Sequence, residues 1–307
     1  MPSESEFIAA FLAPFGGGEG VGSDCAAVRV GRGLKLVATT DAIVQDVHFT
    51  LPGFSPEDVG WKALAVNLSD LAAAGARPRW FLCALGVPKS PRALQLAARM
   101  AKGMAGLARR FGCALVGGNV SRSKDWSLTI TALGEARRPL MRTGARPGDA
   151  LVVVGKLGDA AAGLRGSRGG LSAQRRPLPL VAEGVAAARF ASASIDVSDG
   201  FLRDLGHLCA QSRCGAVVEL SDLPVGRAAR SRRDGLELAL TGGEDYALLY
   251  AVPQRNLEAL RRAVACAVVG RISRERRICL LQDGVAWRSP ATTGFDHLSE
   301  APSPARR

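Results

Sequence analysis

Hydroxyl and carboxylate side chains recur in this sequence in short clusters, most of them beside glycines. Thr39-Thr40-Asp41 follows an apolar run over residues 34–38. Asn67-Leu68-Ser69-Asp70 interrupts an apolar stretch, and Asp196-Val197-Ser198-Asp199-Gly200 closes another. Gly242-Gly243-Glu244-Asp245 precedes a third, and Gly22-Ser23-Asp24 and Gly117-Gly118-Asn119 have the same character. These side chains are hard oxygen donors. They suit Mg²⁺, which takes oxygen ligands and shares them with phosphates. Each cluster alone reads equally as a turn, a helix cap or a hydrogen-bonded junction. Asp24, Asp41, Asp70, Asp196 and Asp199 recur with no catalytic Cys–His or Gly-x-Ser-x-Gly pattern beside them. That recurrence points to phosphate chemistry assisted by several Mg²⁺ ions. Residues 16–22 are rich in glycine but lack the Gly-Lys-Ser/Thr ending of a phosphate loop and follow no strand, so they read as a flexible connection.

The elements that must position these clusters can be read from periodicity. Residues 5–15 form an amphipathic helix pattern carrying Phe7, Ile8, Phe11 and Leu12. Residues 25–30 and 34–38 read as strands, the second ending at Thr39-Thr40-Asp41. Ser55-Pro56-Glu57 is a helix start, with Ser55 as cap and Pro56 in the first turn. That helix runs over 59–74 and puts Asn67 and Asp70, three residues apart, on one face. A strand over 80–87 and a helix over 94–111 follow, then a strand over 113–116 closed by Gly117-Gly118-Asn119 and one over 127–134. The chain changes character around 139–148, where Arg142 and Arg146 are candidate phosphate contacts, although arginines in a linker are more often only exposed surface. Beyond it come a strand over 150–154, an exposed basic segment over 174–179 and a helix over 181–191. A strand-to-helix junction at 194–205, strands at 215–220, 246–252 and 267–270, and a helix at 257–263 continue the unit. A hairpin of 278–281 with 285–287 precedes Gly294-Phe295-Asp296-His297, and the 301–307 tail is predicted disordered. This predicts two domains, residues 1–138 and 139–300. The first is α+β with a mixed sheet and helices, and the second is an α/β sandwich.

Composition narrows the function further. The 307 residues carry 40 Lys+Arg against 28 Asp+Glu, a net charge of +12. The arginines are scattered and aromatics are 5% of the chain, so no aromatic-interleaved basic stripe for nucleic acid is present. The seven cysteines are odd in number and form no Cys-x-x-Cys, which predicts reduced, buried thiols of a cytoplasmic protein. No apolar run reaches the roughly 18 residues of a membrane span, and the N-terminus has no signal-peptide pattern.

Together the motifs resemble the thiamine-monophosphate kinase family of the aminoimidazole-ribonucleotide-synthetase-like superfamily. The resemblance rests on Gly22-Ser23-Asp24, Thr39-Thr40-Asp41 with His48-Phe49, Asn67-Leu68-Ser69-Asp70 with Ala74-Gly75-Ala76, and Gly117-Gly118-Asn119. It continues through Arg142-Thr143-Gly144-Ala145, Ile195–Gly200, Gly242-Gly243-Glu244-Asp245-Tyr246 and Gly294-Phe295-Asp296-His297, in family order over nearly the whole chain. The resemblance implies ATP-dependent phosphorylation of thiamine monophosphate by direct transfer of the γ-phosphoryl group. Asp24, Thr39, Thr40, Asp41, Asp70, Asn119, Asp196 and Asp199 would hold Mg²⁺. Gly118, Asn119, Arg142 and Ser198 would contact ATP, and His48, Glu244 and Phe295 the acceptor, with Phe295 stacking on its ring. It also implies a homodimer whose N-terminal sheets join in a barrel. The chain departs from the family pattern at Ser23 and Asn119, where Asp is usual, at Ala247, often Glu, and at Phe295, usually Trp or Tyr. Two alternatives are a sister ATP-dependent enzyme acting on another substrate and a degenerate nucleotide-binding homologue.

Overall fold

The structure, a computed structural model, describes residues 26–30, 32–288, 290 and 294–295. The expected helix over 5–15, the glycine-rich 16–22, Asp24, Asp296, His297 and the 301–307 tail lie outside the described residues.

Among the described residues, the chain order begins with strands β1 (Ala26–Val30) and β2 (Leu34–Val44), helix α1 (Pro56–Ala73) and strand β3 (Arg77–Val87). Helix α2 (Ala93–Phe111), then β4 (Ala114–Arg122) and β5 (Ser127–Ala136), complete a five-stranded sheet of order β1-β2-β5-β3-β4. It is mixed, because β3 and β4 run parallel and the other pairs antiparallel. Next come β6 (Ala150–Val154), α3 (Asp159–Leu164), α4 (Leu171–Arg175), α5 (Val181–Ala187), β7 (Ala193–Val197), α6 (Phe201–Ser212) and β8 (Gly215–Glu219). The last elements are α7 (Arg227–Arg230), α8 (Gly235–Thr241), β9 (Ala247–Val252), α9 (Gln254–Ala263), β10 (Ala267–Ser273), β11 (Ile278–Gln282) and β12 (Val285–Trp287). They build a seven-stranded sheet of order β12-β11-β8-β10-β6-β9-β7.

Helix α1 is the axis of the molecule. Ser55 caps it in a reciprocal box, its hydroxyl accepting from the Asp58 amide while Asp58 accepts from the Ser55 amide. At the other end Gly75, at φ +68°, and Ala76 donate back to Ala72 and Leu71, the paired closure that favours glycine. Between the caps nearly every residue is buried. A helix that is apolar all round must be covered on all sides. Here it shares one core with Val37, Ile43, Leu128 and Ile130 of the first sheet and Val152, Val154, Leu248 and Tyr250 of the second. Leu64, Leu68 and Leu71 are fully buried and contribute about 1.5–3 kcal/mol each. The opposite face of the second sheet packs Val153, Ile195 and Leu249 against Phe201, Leu205 and Leu208 of α6. Strands β6, β7 and β9 are therefore buried on both faces, which is why β6 and β9 read as continuous apolar runs, while β7 buries Ser194 and Asp196 among its apolar residues.

Three expectations are corrected. The strand carrying Thr39-Thr40-Asp41 does not end there but continues to Val44, because β5 pairs with it throughout. Likewise Gly117-Gly118-Asn119 lies inside β4, paired with Leu82, Cys83 and Ala84, and does not close it. Residues 174–179 are not simply exposed: Gln174 is buried, the Pro177 carbonyl accepts from Trp61 Nε1 at 2.8 Å, and Arg176 pairs with Asp58.

Candidate active site

Strand β2 alternates. Val37, Thr39, Asp41 and Ile43 face α1 and Thr40 faces the other way, its hydroxyl donating to the Ile130 carbonyl at 3.1 Å. The buried face of β2 is interrupted between Thr39 and Ile43. Asp41 is exposed, although its neighbours on that face at positions 37, 39 and 43 are buried. Helix α1 holds this end of β2 through the two residues that share a face. Asn67 accepts from the Asp41 amide at 2.9 Å and donates to the Ala63 carbonyl at 3.0 Å. Asp70, 9% exposed, accepts from the Thr39 hydroxyl at 2.5 Å. On another side of the same helix, Ser69 donates to Asp196 of β7 at 2.6 Å. One turn of α1 thus ties the Thr39 hydroxyl and Asp41 amide of the first sheet and the Asp196 carboxylate of the second to itself.

The loop after β7 is shaped by Asp204. Its Oδ2 accepts from the amides of Ser198, Asp199 and Gly200 at 3.0, 3.0 and 3.1 Å. Gly200 sits at φ +129°, and a side chain there would meet the Thr241 carbonyl, so the turn requires glycine. The Gly242–Tyr246 segment docks on this loop: the Glu244 amide donates to Ser198 O at 2.7 Å and the Tyr246 amide to Val197 O at 2.8 Å. Glu244 and Tyr246 adopt φ values of +69° and +50°. For residues with a β-carbon this conformation costs about 1–2 kcal/mol each, the kind of strain found where side chains are aimed for function. The Phe295 amide donates to Asp199 O at 3.0 Å.

These elements enclose a cavity of about 1000 Å³. Thr39, Thr40, Asp41, His48, Asp70, Arg142, Ser198, Asp199, Glu244 and Phe295 line it, joining residues expected to act together from both halves of the chain. Five carboxylates and four arginines line it in all. Asp196 is not on its wall; it is 2% exposed and lies beneath, on Ser69. Gly118 and Asn119 are not on the wall either. They lie on β4, the free edge of the first sheet, with β3 and β5 between them and β2. Three inter-strand spacings put β4 about 14 Å from β2. His48 Nδ1 accepts from the Val44 amide at 3.1 Å, so the proton of the neutral ring sits on Nε2.

The electrostatics show how closely the acids gather. Burial, and then the charges of Glu244, Asp41, Asp196 and Asp199, push the Tyr246 phenol well above its usual range. Asp245 is pushed up to about 8 by burial, against the amides of Gly158 and Ala160 that it caps. The wall donors are oxygens of Asp and Thr, and this set fits a hard divalent cation such as Mg²⁺. Asp199, Asp204 and His207 also bring ligand atoms within 4.8 Å of one another.

Several residues of the site were not anticipated. Lys62 of α1 is fully buried, with Nζ 2.5 Å from Glu244 Oε1. A lone cation inside the apolar helix pattern was the available signal. Arg175 lines the cavity at 6.0 Å from the Phe54 ring centroid, and nothing local in the sequence separates it from the other arginines.

Comparison with known proteins agrees with this geometry. Residues 22–136 match the AIR synthase related protein N-terminal domain and residues 146–280 the C-terminal domain. A thiamine-monophosphate kinase from Haemophilus influenzae is 36% identical, with 92% of each chain covered. One from Mycobacterium tuberculosis is 39% identical over 75% of this chain and 73% of its own. A solved structure described as "AaThiL complexed with AMPPCP and TMP" superposes with a TM-score of 0.87 at 29% identity, covering 96% of this chain and 97% of that one. A hydrogenase maturation protein HypE in complex with ATP, at 20% identity and a TM-score of 0.68, shares the fold. The two matched domains and the 36% identity to the Haemophilus influenzae relative over 92% of each chain lead to one conclusion: this chain belongs to the thiamine-monophosphate kinase family, built from AIR synthase related domains.

Proposed function

We propose that this protein transfers the γ-phosphoryl group of ATP directly to the phosphate of thiamine monophosphate, giving thiamine diphosphate and ADP. The observation that carries the reading is the convergence of Thr39, Asp41, Asp70 and Asp199 with Arg142 and Ser198 on one cavity wall. The neighbour holding AMPPCP and TMP supports the two substrates. A bond forms between an acceptor phosphate oxygen and the γ-phosphorus, and the bond from that phosphorus to the ADP oxygen breaks. Transfer between phosphates brings several negative charges together, so positioning and charge compensation supply most of the catalysis.

Asp24, Thr39, Thr40, Asp41, Asp70, Asn119, Asp196 and Asp199 are the proposed Mg²⁺ residues, and bound Mg²⁺ supplies charge neutralisation at the phosphates. Arg142 and Ser198 orient ATP from the second half of the chain. His48, Glu244 and Phe295 bind the acceptor, Phe295 by stacking from its position beside the Asp199 loop. Residues 1–138 and 139–300 are the proposed domains; the first sheet ends at Ala136 and the second begins at Ala150.

A homodimer joined through the N-terminal sheets is supported by β4. All nine of its residues are exposed, with Leu115, Val116 and Val120 at 58, 54 and 70%. An apolar free edge of this length is a template for another strand. Pairing there would carry Gly118 and Asn119 from the surface of one chain into an interior shared by two, which is the support for their ATP and metal roles. Consumption of ATP and six free thiols among the described residues are consistent with the cytoplasm. No described helix is long and apolar enough to cross a membrane.

The test is direct. Purified protein with ATP, Mg²⁺ and thiamine monophosphate is expected to form thiamine diphosphate and ADP in equal amounts, measured by chromatography. ATP binding with no thiamine diphosphate formed would overturn the proposal.

A further inference from the structure

Helix α1 carries one ammonium group inside the core. Lys62 has no exposed surface. Its Nζ lies 2.5 Å from Glu244 Oε1 and 3.2 Å from the His48 carbonyl, and 5.2 Å from the centroid of the Phe54 ring. An ammonium has three donors and no acceptor. A carboxylate, a carbonyl and an aromatic face are three partners for it, and without them a buried charge of this kind is strongly disfavoured.

The partners come from separate places in the chain. His48 follows β2, and Phe54 lies immediately before α1, while Glu244 stands in the loop between α8 and β9 of the second half. Glu244 is also the residue held at φ +69°. Its side chain is 28% exposed and lines the cavity, so one end faces the core lysine and the residue still borders the open space. A carboxylate in that position would otherwise turn to water, and the ion pair opposes this.

We propose that Lys62 is a positioning residue for acceptor binding. It holds Glu244 and the His48 loop in one arrangement, so that contacts from both halves of the chain meet the acceptor together. It acts through Glu244 and His48 and has no surface with which to touch the acceptor itself. The inference rests on the reading of His48 and Glu244 as acceptor contacts.

Steady-state kinetics of full-length Lys62→Met, Glu244→Gln and the double variant tests it, with thermal melting to certify folding. Lys62→Met keeps the apolar stem and removes the charge. Its KM for thiamine monophosphate is expected to rise about tenfold or more, with the KM for ATP within about twofold of the parent. In the Glu244→Gln background the same substitution is expected to change the acceptor KM by no more than about threefold, since the partner is already neutral. Equal rises in both KM values, an unchanged acceptor KM, or fully additive effects would each overturn the positioning role. Should Lys62→Met fail to fold, Lys62→Arg carries the test: charge is kept and length altered, so the ratio of acceptor KM to ATP KM should rise at least about threefold. An unchanged ratio in a folded Lys62→Arg protein would overturn the proposal. Parent protein that forms no thiamine diphosphate identifies failure of the functional reading, whereas an active parent with indifferent Lys62 variants identifies failure of this inference alone.

Discussion

Asp70 is the residue at which folding and chemistry can be separated most cleanly. Its carboxylate is 9% exposed and accepts the Thr39 hydroxyl at 2.5 Å. Asparagine offers that hydroxyl a carbonyl oxygen of the same reach but carries no charge. The hydrogen bond survives Asp70→Asn, so stability should change by about 1 kcal/mol or less, a melting shift of about 2–4 °C at most. The charge does not survive. One unit charge opposite a cation at about 4 Å is worth roughly 4 kcal/mol at the effective dielectric of a partly buried site. Each 1.36 kcal/mol is tenfold in rate, so kcat/KM should fall by about a thousandfold. The assay is thiamine diphosphate formation across a Mg²⁺ titration, with a melting curve on the same preparation. Asp70→Ala should lose turnover equally and lose more stability, because the Thr39 hydroxyl then has no acceptor. A folded Asp70→Asn protein within tenfold of parental kcat/KM, at an unchanged Mg²⁺ requirement, would refute the metal role and the charge argument with it.

Three further outcomes are expected. Asn119→Asp restores a charged donor and should lower the Mg²⁺ concentration for half-maximal rate; an unchanged requirement would place Asn119 away from any metal. Val120→Lys on the exposed edge of β4 should convert a dimer to monomer in light scattering and reduce turnover with it, and a dimer that persists would refute pairing along this edge. Asp245, held up to about 8 against a usual 3.8, binds its proton more tightly folded than unfolded. Its contribution to stability is therefore present at low pH and is lost as pH rises through about 8. Asp245→Asn mimics the protonated form, so its melting temperature should gain on the parent's from pH 5 to pH 9. Parallel melting curves would show that Asp245 titrates normally.

The helix that organises the molecule was legible because local and global signals agree in it. Ser55-Pro56 marked its start, Gly75 its end, and Asn67 and Asp70, at helical spacing, both turned out to bind β2. The clusters at Asp41, Ser198-Asp199 and Glu244 were legible as oxygen donors for the same reason: polar groups inside apolar runs need partners. Strand ends were less legible. The polar Thr39-Thr40-Asp41 reads as a terminus, but a paired strand continues through polar residues wherever its neighbour supplies hydrogen bonds, as β5 does. Lys62 is not legible from the sequence because a single lysine in a helix is ordinarily a solvated one, and only the meeting of Glu244, His48 and Phe54 around it reverses that expectation.

By itself the sequence determined the chemistry available: hard oxygen donors, arginines for phosphate, and a set of motifs whose order matches one enzyme family. Residue types carry that information because ligand hardness and charge belong to side chains and need no fold. Tertiary structure decided which donors share a wall. It joined Asp41 and Asp70 to Ser198 and Glu244 across more than a hundred residues, set Asp196 beneath the cavity, and left Gly118 and Asn119 on an open edge. Those outcomes depend on strand order and on a helix buried between two sheets, and no local pattern encodes either.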